Sequence, residues 1–274
     1  MQAVQVISLK RSALRRAAFA KLNEHLNYEF WDAVDGHEMS YAEFMATGLF
    51  EEGLPYTAGA FGCALSHLRL WERAIETGQP LTIAEDDAIF RLDFHEQQAR
   101  ALERLSPDWD IVLWGWNFDA ALSLNLMPGV SPTIVMMDHG QMVNSIENFQ
   151  YADTEPSLLR LERCFGNPCY TISPAGARRF KARCFPIMRS ESMFPLIAVP
   201  VPNTGIDNSM NRVFWQRQSF ISLPPLVVTK NERAVSTIQN ATYHEELVGV
   251  LRSAASQSHS RPEMTPPPRQ TSPA

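Results

Sequence analysis

The chain reads as a single α/β domain with a mostly parallel central sheet and helices on both faces. Two observations predict this: short apolar, β-branched runs alternate with helical patterns at crossover spacing, and 274 residues are enough to bury a large core without a metal or disulfide staple. The composition, 45% hydrophobic and 20% charged, is that of a folded globular protein. A net charge of -6 supplies no overall basic field for nucleic acid.

Each element has its own local warrant. Residues 3–9 carry Val4, Val6 and Ile7 in a strand pattern, and a helix follows over residues 10–25. That helix bears Lys10, Arg11, Arg15, Arg16 and Lys21, so it is read either as a solvated face or as a basic membrane-surface helix. A strand over residues 28–33 ends near the turn dipeptide Asp35-Gly36, with helical material at 40–47. Thr57 caps a long helix whose Phe61, Leu65, Leu68, Trp71 and Ile75 recur at a 3.6-residue period until Gly78. Strands are expected at 81–84, 111–114, 169–173, 220–223 and 226–229, and helices at 94–105, 174–184 and 206–216. The stretch 117–164, mixed in Pro, Gly, Asn and Met, reads as long loops; Trp116 just before it and Phe118, Phe149 and Tyr151 within it are candidate stacking platforms for a ligand or anchors of a loop to the core. The domain is expected to span 1–252. Residues 253–274, with Pro266-Pro267-Pro268 and little apolar surface, read as a disordered tail. Deleting that tail should leave the melting temperature unchanged; a drop of several degrees would mean that it packs on the domain.

The four cysteines, Cys63, Cys164, Cys169 and Cys184, form no CxxC pair and read as free thiols. Cys63 and His67 share a helix face, but two ligands do not make a zinc site. No apolar run reaches the ~20 residues that span a bilayer, and no export signal is apparent, so the expected location is cytoplasmic, with peripheral contact at the inner face of a membrane as a further option.

The chemical signal is Glu85-Asp86-Asp87 at the end of an apolar strand. Adjacent carboxylates raise one another's pKa unless a cation compensates, and hard oxygen ligands select Mn²⁺ or Mg²⁺. Strand alternation would turn Glu85 and Asp87 toward one site as metal ligands, with Asp86 facing a neighbouring element. Arg11 and Arg15 follow the first strand, where open α/β sheets bind ligands, and are candidates for nucleotide or diphosphate contact. Asp35 is a candidate for the base or ribose, or a plain turn residue.

These blocks together resemble glycosyltransferase family 25, the lipopolysaccharide and procollagen galactosyltransferase-like family. The resemblance lies in Val6-Ile7-Ser8-Leu9-Lys10-Arg11-Ser12 with Arg15-Arg16, in Asp32-Ala33-Val34-Asp35-Gly36, and in Gly62-Cys63-Ala64-Leu65-Ser66-His67 before Trp71. It continues through Ile83-Ala84-Glu85-Asp86-Asp87, the stretch Cys169-Tyr170-Thr171-Ile172-Ser173-Pro174-Ala175-Gly176-Ala177, and Gly205-Ile206-Asp207. It implies a GT-A, Rossmann-like fold and an inverting, metal-dependent transfer of a hexose, galactose foremost, from a UDP-sugar to a hydroxyl of a glycan acceptor such as lipopolysaccharide. Under that reading Asp207 is the catalytic base, and Ser8, Arg11, Arg15, Asp35, Ser66, His67 and Asp86 serve the donor, Ser66 and His67 as braces beside the apolar stripe of their helix. Ala60 stands where the family commonly has Glu. That departure keeps open a non-catalytic nucleotide-sugar-binding module; a metal-dependent phosphohydrolase is the third reading.

Overall fold

Alternation in the strands decides where the two cores lie. The computed structural model describes residues 2–194 and 197–230, which belong to one compact unit. In β1 (Val4–Ser8), Val4 and Val6 join one apolar cluster and Ile7 the other. The same division recurs downstream. Leu81 and Ile83 of β3 (Leu81–Glu85) face one way and Ala84 the other, while Tyr170 and Ile172 of β9 (Cys169–Ile172) oppose Cys169. The first cluster is closed by α3 (Ala58–Thr77), α7 (Pro174–Cys184) and α8 (Ile206–Phe214), through Phe61, Leu68, Trp71, Phe180 and Phe214. The second is closed by α1 (Ala13–Leu22) and α4 (Phe94–Glu103), through Phe19, Phe94 and Ala101. Helices therefore cover both faces, as expected of the α/β class.

The remaining strands are β2 (Tyr28–Asp32), β4 (Ala88–Phe90), β5 (Ile111–Leu113), β6 (Leu122–Met127), β7 (Ser131–Val135), β8 (Ser157–Arg163), β10 (Glu191–Phe194), β11 (Ile197–Pro202), β12 (Ser219–Leu223) and β13 (Val227–Thr229). Nine of the thirteen described strands form one sheet in the order β2-β1-β3-β9-β5-β12-β8-β6-β7. The contacts β1–β2, β1–β3 and β5–β12 are parallel. Those of β9 with β3 and β5, of β8 with β12 and β6, and of β6 with β7 are antiparallel. The sheet is thus mixed where a mostly parallel one was expected: β9 enters between β3 and β5 running the other way, and a hairpin extends the far edge.

That edge also corrects the expectation of long loops over 117–164. Leu122, Leu124 and Leu126 alternate through β6, the turn at Pro128-Gly129 places Gly129 at φ 73°, and β8 completes the antiparallel layer. Two short helices, α5 (His139–Val143) and α6 (Ile146–Gln150), complete the segment. Trp116 is fully buried, and Phe118 and Phe149 pack on Ile89, Met142 and Val228; of the four aromatic candidates only Tyr151, 76% exposed, stands free of the core.

Capping behaves as the sequence indicates. Thr57 accepts from the Ala60 N–H and Gly78 ends α3 at φ 66°. Ser40 and Glu43 form a reciprocal capping box on α2 (Tyr41–Ala46). All four cysteines are free. Among the described residues no helix is long and apolar enough to cross a membrane. The expected tail, 253–274, lies outside the described residues.

Candidate active site

The carboxyl ends of the parallel strands β1 and β3 and the first turns of α3 enclose a cleft. Ser8, Arg15, Asp35, His37, Glu85 and Asp86 contribute its polar wall, and Gly36, Gly59 and Cys63 its floor. Two glycines make the floor possible. A Cβ on Gly62 would lie 2.4 Å from the Val34 carbonyl oxygen and 2.7 Å from the Gly36 nitrogen, so the loop after β2 can rest directly on α3. Ser66 secures the same contact from inside: its hydroxyl accepts from the Val34 N–H at 2.9 Å and donates to the Gly62 carbonyl at 2.7 Å. Ser66 is therefore a brace, fully buried behind the wall.

The basic residues of the first helical segment are engaged by acids around the cleft. Arg11 forks onto Asp35, with Nη2 3.1 Å from Oδ1 and Nε bonded to Oδ2. Asp35 also accepts the His37 N–H at 3.1 Å, and the Arg11 hydrogen bond holds its pKa below the usual carboxylate range. Arg15 donates through Nε to Asp86 Oδ1 at 2.8 Å, and Ser8 Oγ donates to the other oxygen at 2.7 Å. Arg16, which the sequence alone does not single out for the site, donates to Asp32 at 2.6 Å and to the Ser8 carbonyl at 2.8 Å. Each of these arginines is paired with a carboxylate at or beside the cleft.

The acidic triplet does not follow strand alternation, because β3 ends at Glu85 and the chain turns. Glu85 and Asp86 both line the cleft, while Asp87 turns toward Thr229 of β13, with Arg15 3.8 Å away. Burial, then the charges of Asp207 and Asp86, push Glu85 up to about 8 against the partial relief of Arg15. Burial and the Glu85 charge push Asp87 up to about 7. Among the described residues, Asp87 Oδ1 is buried and without a hydrogen-bond partner. Negative charge thus exceeds what the neighbouring guanidinium compensates, which is the setting in which oxygen donors hold a hard divalent cation.

His67 stands behind Glu85. It is fully buried, burial lowers its pKa to about 4, and its Nε2 lies 3.8 Å from Glu85 Oε1. The Tyr170 hydroxyl accepts from Trp71 Nε1 at 2.7 Å and shares a 2.8 Å hydrogen bond with His67 Nδ1. Sequence reasoning did not anticipate this Trp71-Tyr170-His67 chain, although all three residues lie in the blocks quoted above. Glu85 does supply a third ligand beside Cys63 and His67, the three ligand atoms lying within 4.8 Å of one another. With no fourth ligand beside it among the described residues, this trio suits zinc poorly.

Asp207 sits in the first turn of α8, where one oxygen accepts from the Gly166 N–H at 3.0 Å and the other from the Asn208 N–H at 2.9 Å. It lies outside the cleft wall, yet its charge reaches Glu85 and Cys63 and helps raise both. These bonds hold Asp207 as an acid of the helix N-terminal turn, and its charge links it to the acidic triplet.

Comparison with known proteins bears on what such a cleft serves. The profile of glycosyltransferase family 25 (LPS biosynthesis protein) matches residues 1–192. The chain belongs to glycosyltransferase family 25. A glycosyltransferase 25 family member of Aedes aegypti is 32% identical over 125 residues, covering 41% of this chain and 21% of its own. Procollagen galactosyltransferase 1 of Danio rerio is 28% identical over 120 residues, 39% of this chain and 20% of its own. The mouse protein named inactive glycosyltransferase 25 family member 3 is 28% identical over 241 residues, 81% of this chain and 36% of its own. The family 25 chain described here spans between a fifth and about a third of the length of these relatives.

Proposed function

We propose that this chain transfers a hexose, galactose foremost, from a UDP-sugar to a hydroxyl of a glycan acceptor such as lipopolysaccharide, with inversion and in a GT-A arrangement, at the cytoplasmic face of a membrane. The observation that carries the proposal is the meeting of Ser8, Arg15, Asp35, Glu85 and Asp86 at the carboxyl ends of two parallel strands, the position where open sheets of this kind take nucleotides. Glu85 in the cleft wall and Asp87 in the turn just after it supply oxygen donors and surplus negative charge that fit Mn²⁺ or Mg²⁺. When bound, that ion would stabilise the negative charge of the departing diphosphate.

The chain's own residues have distinct tasks in this scheme. Asp35, fixed by Arg11, faces the nucleoside from the loop after β2. Arg15 and Ser8 hold Asp86 at the cleft wall, and Arg15 brings positive charge toward the phosphates. His67 steadies Glu85 from behind. Asp207 receives the acceptor proton on the face of the sugar opposite the leaving group. Incubation with a panel of nucleotide sugars and Mn²⁺, reading UDP release, tests the scheme. Release from UDP-galactose, with UDP-glucose second, is the expected result, and no release from any donor would overturn it.

One observation favours a second reading, binding without turnover. Relatives include a protein named inactive, and Ala60 is buried in the first core, 1% exposed, where the family commonly has a carboxylate. Calorimetric binding of UDP and metal without release of UDP from any donor sugar would select that reading.

A further inference from the structure

A second concavity lies where the end of β8, the last turn of α7, the start of β10 and the end of α8 meet. Arg163, Arg183, Glu191, Asn211, Arg212 and Trp215 line it. Among the described residues no carboxylate lies within 4.0 Å of any of the three guanidinium groups, in contrast to Arg11, Arg15 and Arg16, each of which is paired. Arg163 is half-buried; Nη1 donates to the Glu162 carbonyl at 2.9 Å, and the guanidinium carbon lies 5.8 Å from the Trp215 ring centroid. The Trp215 indole is nevertheless 52% exposed.

The concavity is fixed from within. Asn211 is 1% exposed and grips the residue after Arg163 with both ends of its amide: Oδ1 accepts the Cys164 N–H at 2.8 Å, and Nδ2 donates to the Cys164 carbonyl at 2.6 Å. The strand end bearing Arg163 and the helix bearing Arg212 are thereby held in one arrangement before any ligand arrives. Planar guanidinium groups match phosphate or carboxylate oxygens, and an exposed indole offers a face for a sugar ring. A neutral sugar would leave the arginines without a counter-charge, and a bare anion would leave the indole unused.

The position relates this concavity to the proposed chemistry. Asp207 begins α8 and Arg212 lies near its end, a separation of about 7.5 Å along the axis at the ordinary helical rise. Gly166, which donates to Asp207, follows Arg163 by three residues. We infer that this concavity binds an acidic sugar unit, one carrying phosphate or carboxylate, on the glycan acceptor. The inference rests on the glycosyl-transfer reading for the word acceptor, but not for the binding itself.

The test uses the full chain with saturating UDP to block the donor cleft, titrated with glucose 6-phosphate, glucuronic acid, glucose and inorganic phosphate and followed by tryptophan fluorescence and calorimetry. At least one acidic sugar should bind, and whichever binds identifies the anion; glucose and phosphate should each bind at least about tenfold more weakly. Arg212→Gln and Trp215→Ala should each weaken acidic-sugar binding about tenfold. Glu191→Gln should tighten it at low salt by removing the acid in the wall, a gain that misfolding cannot mimic. Phosphate binding as tightly as the sugar phosphate, or affinities unchanged in Arg212→Gln and Trp215→Ala, would overturn the site. Because turnover is not measured, a chain that cleaves no UDP-sugar can still pass this test, and an active transferase can fail it.

Discussion

Glu85→Gln should lower metal-dependent turnover at least about 100-fold while raising the melting temperature of the metal-free protein at pH 8. The loss is on the scale of removing a fixed electrostatic stabiliser. The gain follows from linkage. Glu85 titrates at about 8 in the folded protein against an ordinary value of 4.5. Below 4.5 it is protonated in both folded and unfolded chains, and between 4.5 and about 8 the unfolded chain releases the proton while the fold retains it. Stability of the metal-free protein should therefore fall as pH rises through that window and level off above it. In Glu85→Gln the slope should flatten, leaving a smaller contribution from Asp87. Mn²⁺ should restore wild-type stability at pH 8 and release protons on binding, which calorimetry in buffers of different ionisation enthalpy would read. A wild-type rate in Glu85→Gln would remove Glu85 from the reaction, and an unchanged pH slope would remove the buried charge as its cause.

The second large effect is expected at the floor of the cleft. Gly62→Ala places a methyl 2.4 Å from the Val34 carbonyl oxygen and 2.7 Å from the Gly36 nitrogen, both backbone atoms that cannot rotate away. Gly36→Ala is worse, with the Ala58 carbonyl oxygen 1.7 Å from the new carbon. Either change forces the loop after β2 off α3 at a cost of about 3 kcal/mol, the upper end for overpacking, and carries Asp35 and Val34 out of position. Chemical denaturation should show that loss, and the folded fraction should bind UDP at least about tenfold more weakly. An unperturbed Gly62→Ala protein would show that the loop and helix are not in the close contact described.

The sequence was most legible where local signals agree. Thr57, the stripe through Phe61 and Trp71, and Gly78 mark α3 to the residue, because cap, period and stop are all local. The leucines of β6 alternate as plainly, but Pro128, Pro132 and Pro156, and the lack of any β-branched residue in β6 and β8, mask the strands around them. Proline is tolerated in β7 because that strand is the sheet edge, where a missing N–H costs no ladder bond. The direction of β9 leaves no trace in its own residues, since orientation depends on where the chain returns. At the site, residue identities were readable and their partners were not. Ser8 and Arg15 meet Asp86 across more than seventy positions, and no spacing rule brings those three together. The turn after Glu85 defeated the alternation that paired it with Asp87.

The reversed strand between β3 and β5 has a consequence for how the protein becomes active. β9 carries Tyr170, whose hydroxyl meets His67 from 103 positions away and Trp71 from 99, and its backbone pairs with both halves of the sheet. Until that late segment docks, β3 lacks a neighbour on one side, and the histidine behind Glu85 has nothing to orient it. The cleft therefore cannot be assembled by the N-terminal half alone, even though all of its described lining residues come from positions 7–86. Non-local pairing of this kind pays its loop-closure entropy before any contact is returned, so the chain should reach its binding-competent state late and in one cooperative step. A nascent chain halted before residue 169 would carry the whole acidic triplet and still have no seat for it.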